Sequence, residues 1–255
     1  MKQNISILGC GWLGKSLALK LNKKGCHIKG STTSDNKLEE LQSKSITPYL
    51  VNLNNKKSDI SEFLITDILI IATPSKNIEG FKNLITKIEK GKIKKVIFIS
   101  STSVYPTING IVTEETPTKA TALYEIEQLF RINTSFQTTI LRFGGLFGYD
   151  RKPGNFIKPD KKIDNPNGYI NFIHRDDCIQ IIEQIITQNS WGETFNACSD
   201  SHPKRRDFYT NEMRKIGRTD FQFNENTTNS YKIISSEKIK KSLNYTFTHS
   251  NLMKI

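Results

Sequence analysis

The chain has 255 residues, 36% of them apolar, and a formal charge of +12; that length suits one large α/β domain, or a nucleotide domain with a smaller lobe. No apolar run reaches the roughly 20 residues of a membrane-spanning helix, and the first strand begins too early to leave room for a secretory signal. The basic excess is lysine scattered in ones and twos, without an aromatic-interleaved motif, which argues for a solvated surface and against a nucleic-acid partner.

The first predicted element is a strand over 3–8. It runs directly into Gly9-Cys-Gly11-Trp-Leu-Gly14, and a helix pattern follows over 12–24 through Leu17, Leu19 and Leu21. Glycines at this spacing, leaving a strand and opening a helix, form a dinucleotide-binding fingerprint. Gly9 permits the tight turn, Gly11 lets a pyrophosphate approach the backbone, and Gly14 allows close helix–sheet packing. The amides of Trp12 and Leu13, at the positive end of the helix dipole, are the expected phosphate donors.

A second strand over 26–30 leads into Ser31, Thr32 and Thr33. An NAD-specific fold places an acid there, roughly 20 residues after the first glycine, to hold the ribose hydroxyls. Here small hydroxyl residues stand in its place, Asp35 comes late, and Lys37 is close by. The expected cofactor is therefore NADP in preference to NAD. A helix over 35–44 and strands over 47–51 and 67–72 follow. Thr73, the first residue past the last of these, joins the candidate cofactor residues. Helices over 76–90 and 121–132 alternate with strands over 94–100 and 137–143. The continuous apolar runs Asp67 to Ala72 and Val96 to Ser100 suit buried parallel strands. Together these elements predict an α/β, Rossmann-like, doubly wound parallel sheet.

After Arg142 the pattern loosens. Gly144-Gly145, Gly148, Pro153-Gly154, Pro159, Pro166 and Gly168 predict a long loop-rich stretch of the kind that encloses ligands. Then come a strand near 170–173, a helix over 176–188, a strand near 194–197 and a helix over 204–216 stopped by Gly217. A short helix over 236–243, capped by Ser235 or Ser236, is last. The expected domains are 1–150 for the nucleotide and 151–255 as a small substrate lobe over the open end of the sheet. The Lys-Lys pairs at 23–24, 56–57, 94–95, 161–162 and 240–241 are expected at element ends and loops. Cys10, Cys26, Cys178 and Cys198 lack CxxC spacing and read as free thiols of a cytoplasmic protein.

Four segments together resemble the extended, epimerase/dehydratase-like branch of the short-chain dehydrogenase/reductase superfamily. They are Gly9 to Gly14, Ile99-Ser-Ser-Thr-Ser-Val-Tyr105, Leu141-Arg-Phe-Gly-Gly-Leu-Phe-Gly148 and Asn171-Phe-Ile-His-Arg-Asp-Asp177. Gly-x-Gly-x-x-Gly, in place of the branch's usual Gly-x-x-Gly-x-x-Gly, indicates an atypical bacterial subgroup. The resemblance implies an NAD(P)-dependent oxidoreductase or epimerase acting on a small polar, sugar-like substrate. It implies that Ser101 orients the reacting oxygen and that Ser103 faces the substrate. Arg142 and His174 are candidate substrate-lining residues. The superfamily's Tyr-x-x-x-Lys pair is missing. In the register set by Glu127-Gln128-Leu129, Lys119 and Leu123 occupy its places. Tyr124, the only nearby tyrosine, is followed four residues later by Gln128, which cannot lower a tyrosine pKa. A non-catalytic NADP(H) sensor is therefore the alternative reading. The two carboxylates Asp176 and Asp177, adjacent at a helix start, are expected to cap the helix and to hold no metal.

Overall fold

A computed structural model describes residues 3–55, 59–159 and 161–255. The Lys56-Lys57 pair lies outside the described residues. In chain order the elements are β1 (Asn4–Leu8), α1 (Trp12–Lys23), β2 (His27–Thr32), α2 (Leu38–Gln42), β3 (Thr47–Leu50), β4 (Ile68–Ile71), α3 (Ile78–Glu89), β5 (Lys95–Ser101), β6 (Gly110–Val112) and α4 (Ala122–Arg131). There follow β7 (Gln137–Phe143), β8 (Gly145–Phe147), β9 (Ile163–Asp164), β10 (Phe172–His174), α5 (Arg175–Gln188), β11 (Thr194–Ala197), α6 (Arg205–Lys215), β12 (Phe223–Asn224), β13 (Lys232–Ile234) and α7 (Glu237–Leu243).

Among the described residues, seven strands form one sheet in the order β11-β7-β5-β4-β1-β2-β3. The pairs β1–β2, β2–β3, β1–β4 and β4–β5 are parallel. The chain order reverses between β1 and β4, and at such a switch point the carboxyl ends of the strands open a ligand crevice. The predicted Rossmann-like doubly wound fold is thus the observed one.

The chain divides into two compact units, interleaved in sequence. One comprises 1–100, 120–141 and 182–194; the other comprises 101–119, 142–181 and 195–255. In the first, all four residues of β4 are buried, as a strand covered on both faces requires. Helix α1 buries Leu13, Gly14, Leu17, Ala18 and Leu21, one helical stripe. Asn77 caps α3 by accepting the Gly80 amide at 3.0 Å, and Thr121 caps α4 by accepting the Tyr124 amide at 3.2 Å. The rings of Phe81, Phe98 and Phe130 meet with centroids 5.2–5.9 Å apart at the centre of this core.

The second unit has its own core, built on Phe147, Ile163, Ile170, Phe208 and Met213. It carries the small parallel ladders β6–β13, β8–β10 and β9–β12. Strand β10 matches the one expected near 170–173; the other five were not expected as strands, because two or three residues carry too little alternation and their partners are distant in sequence. The helix predicted over 35–44 is a 3-10 turn at Asp35–Lys37 followed by one short α-helix. Gly217, at φ 73°, stands just past α6 as expected. Lys240 and Lys241 sit in the last turn of α7, at an element end as expected; Lys240 meets Asp200 at 3.0 Å and Glu237 at 2.9 Å.

Candidate functional site

The cleft at the switch point belongs to the first unit. It has a volume of about 260 Å³ and is lined by the residues that end β1, β2 and β4, from Leu8 to Gly11, Ser31 to Ser34 and Ala72 to Ser75, with Lys37 at its side. A larger cavity of about 640 Å³, lined by Asp59, Asp67, Lys87 and Lys90, gathers none of the fingerprint residues. The three glycines act in three ways. Gly9 has φ 101°, a left-handed conformation that permits the turn out of β1. A Cβ on Gly14 would lie 2.1 Å from the Gly9 carbonyl oxygen, so α1 packs directly on the turn. A Cβ on Gly11 would meet nothing within 4 Å. It would project into open space, where the fingerprint requires room for a pyrophosphate. Trp12 and Leu13 form the opening turn of α1, the positions from which helix amides reach outward to a phosphate. The residues present therefore fit a dinucleotide.

Ser31 lines the cleft and also holds the glycine turn. It is 1% exposed, and its hydroxyl oxygen accepts the Gly9 amide at 2.9 Å. Its carbonyl accepts the Cys10 amide at 2.7 Å. Ser31 thus clamps the glycine turn, and Thr32, Thr33, Ser34 and Lys37 line the cleft beside it. Thr73 lines the opposite wall, and its hydroxyl oxygen accepts the Ser75 amide at 3.4 Å. Burial pushes the Cys10 thiol up to about 12, so it stays protonated beside the turn. All four cysteines are free.

In the first unit, Ser100 hydrogen-bonds to the fully buried Glu127 of α4. Tyr124 lies in the first turn of α4, and Gln128 follows one turn on, its side-chain nitrogen buried without a hydrogen-bond partner. Leu123 packs against the aromatic core. An apolar residue and an amide therefore stand where a lysine would be needed. Lys119 precedes the helix and is exposed.

The second unit carries two polar clusters. In one, Ser101 ends β5 and its hydroxyl accepts the Ser103 amide at 3.1 Å, closing a 3-10 turn; Ser103 is exposed. Tyr105, fully buried, ends this turn. Its hydroxyl accepts from Arg142 at 2.6 Å and donates to Asn196 at 2.9 Å, while the guanidinium lies 4.9 Å from its ring centroid. Arg142 is 3% exposed. A buried cation needs fixed partners, and Arg142 has one in Tyr105. The Glu114 carboxylate accepts the Asn196 amide at 2.7 Å, and burial raises the Glu114 pKa. Lys232 donates to the carbonyls of Thr102 and Tyr105 at 2.9 and 2.8 Å, binding β13 to the turn. Burial, with Lys119 nearby, lowers its pKa. Neither Glu114 nor Lys232 stood out in the sequence; neither belongs to a motif with readable spacing.

The other cluster surrounds His174. Its ring lies against that of His249, tilted by 41° with centroids 3.7 Å apart, and its Nδ1 accepts the Asp176 amide at 3.2 Å. Burial first, and the neighbouring His249 second, lower its pKa, so the neutral ring is favoured. Asp177 is fully buried. It accepts the Tyr245 hydroxyl at 2.7 Å and the amides of Thr248 and His249 at 2.7 and 3.0 Å, fastening the C-terminal segment to the start of α5. The packing role expected of this pair falls to Asp177.

Residues 4–103 match the family model described as NADP oxidoreductase coenzyme F420-dependent. The chain is similar to the protein YeeZ of Escherichia coli strain K12, with 28% identity over 97% of this chain and 96% of that protein. Its fold is similar to UDP-glucuronic acid 4-epimerase from Bacillus cereus in complex with UDP-glucuronic acid and NAD, with a TM-score of 0.80 and 20% identity over 98% and 95% of the two chains. It is likewise similar to dTDP-glucose 4,6-dehydratase from Bacillus anthracis in complex with NAD, with a TM-score of 0.79 and 16% identity over 99% and 94%. At these identities the solved structures establish a shared fold. No helix among the described residues is long and apolar enough to cross a membrane.

Proposed function

We propose that the chain is a cytoplasmic NAD(P)-binding oxidoreductase or epimerase/dehydratase-like protein that prefers NADP and acts on a small polar, sugar-like substrate. The observation that carries this reading is the division of labour among Gly9, Gly11 and Gly14, with only Gly11 facing open space. In this reading, Gly9 to Gly14 hold the pyrophosphate, with the Trp12 and Leu13 amides as donors. Thr32, Thr33 and Lys37 receive the 2′-phosphate, and Thr73 lines the facing wall. The nicotinamide supplies the hydride chemistry when bound. Ser101 donates a hydrogen bond to the substrate oxygen, and Ser103 faces the substrate. Residues 142–181 and 195–255, with 101–119 joined to them, form the substrate lobe. Arg142 acts through Tyr105, holding the serine turn in shape.

A second reading, a non-catalytic NADP(H) sensor, is favoured by one observation: Leu123 and Gln128 leave no lysine beside Tyr124. One experiment tests both. Nucleotide-free protein is titrated with NADP, NADPH, NAD and NADH by calorimetry, then screened against sugar nucleotides and small polar carbonyl and hydroxyl compounds at the reduced-nicotinamide absorbance. Tighter NADP(H) binding with turnover supports the first reading. Tight binding without turnover, and with affinity unchanged in Ser101→Ala, supports the second. Absence of dinucleotide binding overturns both.

A further inference from the structure

We propose that His174, Asp176 and His249 form a binding site for one divalent transition-metal ion, best matched by Zn²⁺. Their donor atoms all lie within 4.8 Å of one another. The Asp176 Oδ2 atom is 3.6 Å from His174 Nδ1 and 3.5 Å from His249 Nε2. A tetrahedral zinc ion with bonds of about 2.0–2.1 Å sets neighbouring donors roughly 3.4 Å apart. Two imidazoles and one carboxylate favour zinc and its transition-metal neighbours over calcium or magnesium, which take oxygen sets.

The site is supported from outside its donors. Tyr149 donates to both Asp176 oxygens, each at 3.0 Å, which orients the carboxylate and brings a fourth oxygen close to the group. The Arg175 guanidinium lies 4.1 Å from the Tyr149 ring centroid. Asp177 receives the His249 amide and so fixes the backbone that carries the second imidazole. Such outer contacts orient metal ligands and raise affinity. His249 makes no side-chain hydrogen bond within the described residues, and its Nε2 faces the Asp176 carboxylate at 3.5 Å. At His174 the ion replaces the 3.2 Å bond from the Asp176 amide. The bound ion ties the C-terminal segment to the start of α5, in parallel with Asp177. The sequence expectation of no metal at Asp176 and Asp177 is revised by this proposal for Asp176. The site draws on only one of them and takes its other donors from β10 and from residue 249.

The test uses full-length protein stripped with EDTA, then titrated with Zn²⁺ against a chromophoric chelator and, separately, with Co²⁺ by visible absorption. One ion per chain, a tetrahedral cobalt spectrum and a Zn²⁺-dependent rise in Tm are expected. Asp176→Asn and His249→Gln should each weaken Zn²⁺ by at least about 100-fold, since even outer contacts are worth about 10–100-fold. Both should also abolish the rise in Tm. The His249 side chain is 25% exposed, so His249→Gln decides the matter alone if Asp176→Asn does not fold. No binding to the wild type, or undiminished binding in a variant with native circular dichroism, overturns the proposal.

Discussion

The Ser31 hydroxyl oxygen accepts the Gly9 amide at 2.9 Å, so the end of β2 holds the turn that ends β1. The bond joins residues 22 apart in sequence inside a site where Ser31 is 1% exposed. Ser31→Ala leaves the Gly9 N–H without its acceptor, a loss of about 1–3 kcal/mol for a buried donor. Denaturant unfolding should show that loss, and calorimetry should show NADP and NAD weakened alike. An altered NADP-to-NAD ratio at unchanged stability would mean that Ser31 reads the ribose instead.

Gly11 and Gly14 should separate binding from folding. Gly11 has φ −80° and open space at its Cβ, so Gly11→Val is tolerated by the backbone and fills the place of the pyrophosphate. Its Tm should stay near that of the wild type while dinucleotide binding is lost. Gly14→Ala places a methyl group 2.1 Å from the Gly9 carbonyl oxygen. Backbone must move to admit it, at a cost of about 1–3 kcal/mol or more. Full nucleotide affinity in Gly11→Val would remove the glycine turn from the binding site.

Lys37 is the cation lining the cleft beside Thr32 and Thr33. Lys37→Ala should weaken NADP by about 3–10-fold, the loss of one exposed charge contact of roughly 1 kcal/mol, and leave NAD nearly unchanged. Equal effects on both cofactors would place the 2′-phosphate elsewhere.

Tyr124→Phe should leave any turnover within a few-fold of wild type. A general acid or base contributes on the order of 10²–10⁴-fold, and Tyr124 has Gln128 one helical turn away where a lysine would have to stand. A loss of that size in steady-state kinetics would make Tyr124 the proton carrier after all.

Glu114 gives a pH signature. Burial raises its folded pKa above the ordinary carboxylate value. The native state therefore holds the proton more tightly than the unfolded chain, and this contribution is complete below the unfolded pKa. It is lost as pH rises from the unfolded to the folded pKa. Glu114→Gln keeps an acceptor for the Asn196 amide and removes the buried charge. Urea unfolding should show the variant gaining on the wild type as pH rises through that window, with no further gain above it. A gap that narrows with rising pH would contradict the sign.

The amino-acid order by itself determined the nucleotide half. Strand, glycine turn and helix are adjacent in sequence, and the period of two or 3.6 residues is a local property. The β1 to β5 alternation, the positions of Gly9, Gly11 and Gly14, the missing acid after β2 and the absence of a Tyr–Lys pair were all legible there. Tertiary structure decided the rest, because it depends on contacts between distant segments. The Ser31 hydroxyl accepts the Gly9 amide, and Arg142 pairs with the Tyr105 hydroxyl; neither partnership shows in its own segment. Lys232 reaches the Ser101–Tyr105 turn across more than a hundred residues, and His249 lies against His174 in a segment whose amides at 248 and 249 are held by Asp177. A buried charge or amide takes whatever partner folding brings within hydrogen-bond reach, and that partner leaves no spacing in the sequence to read.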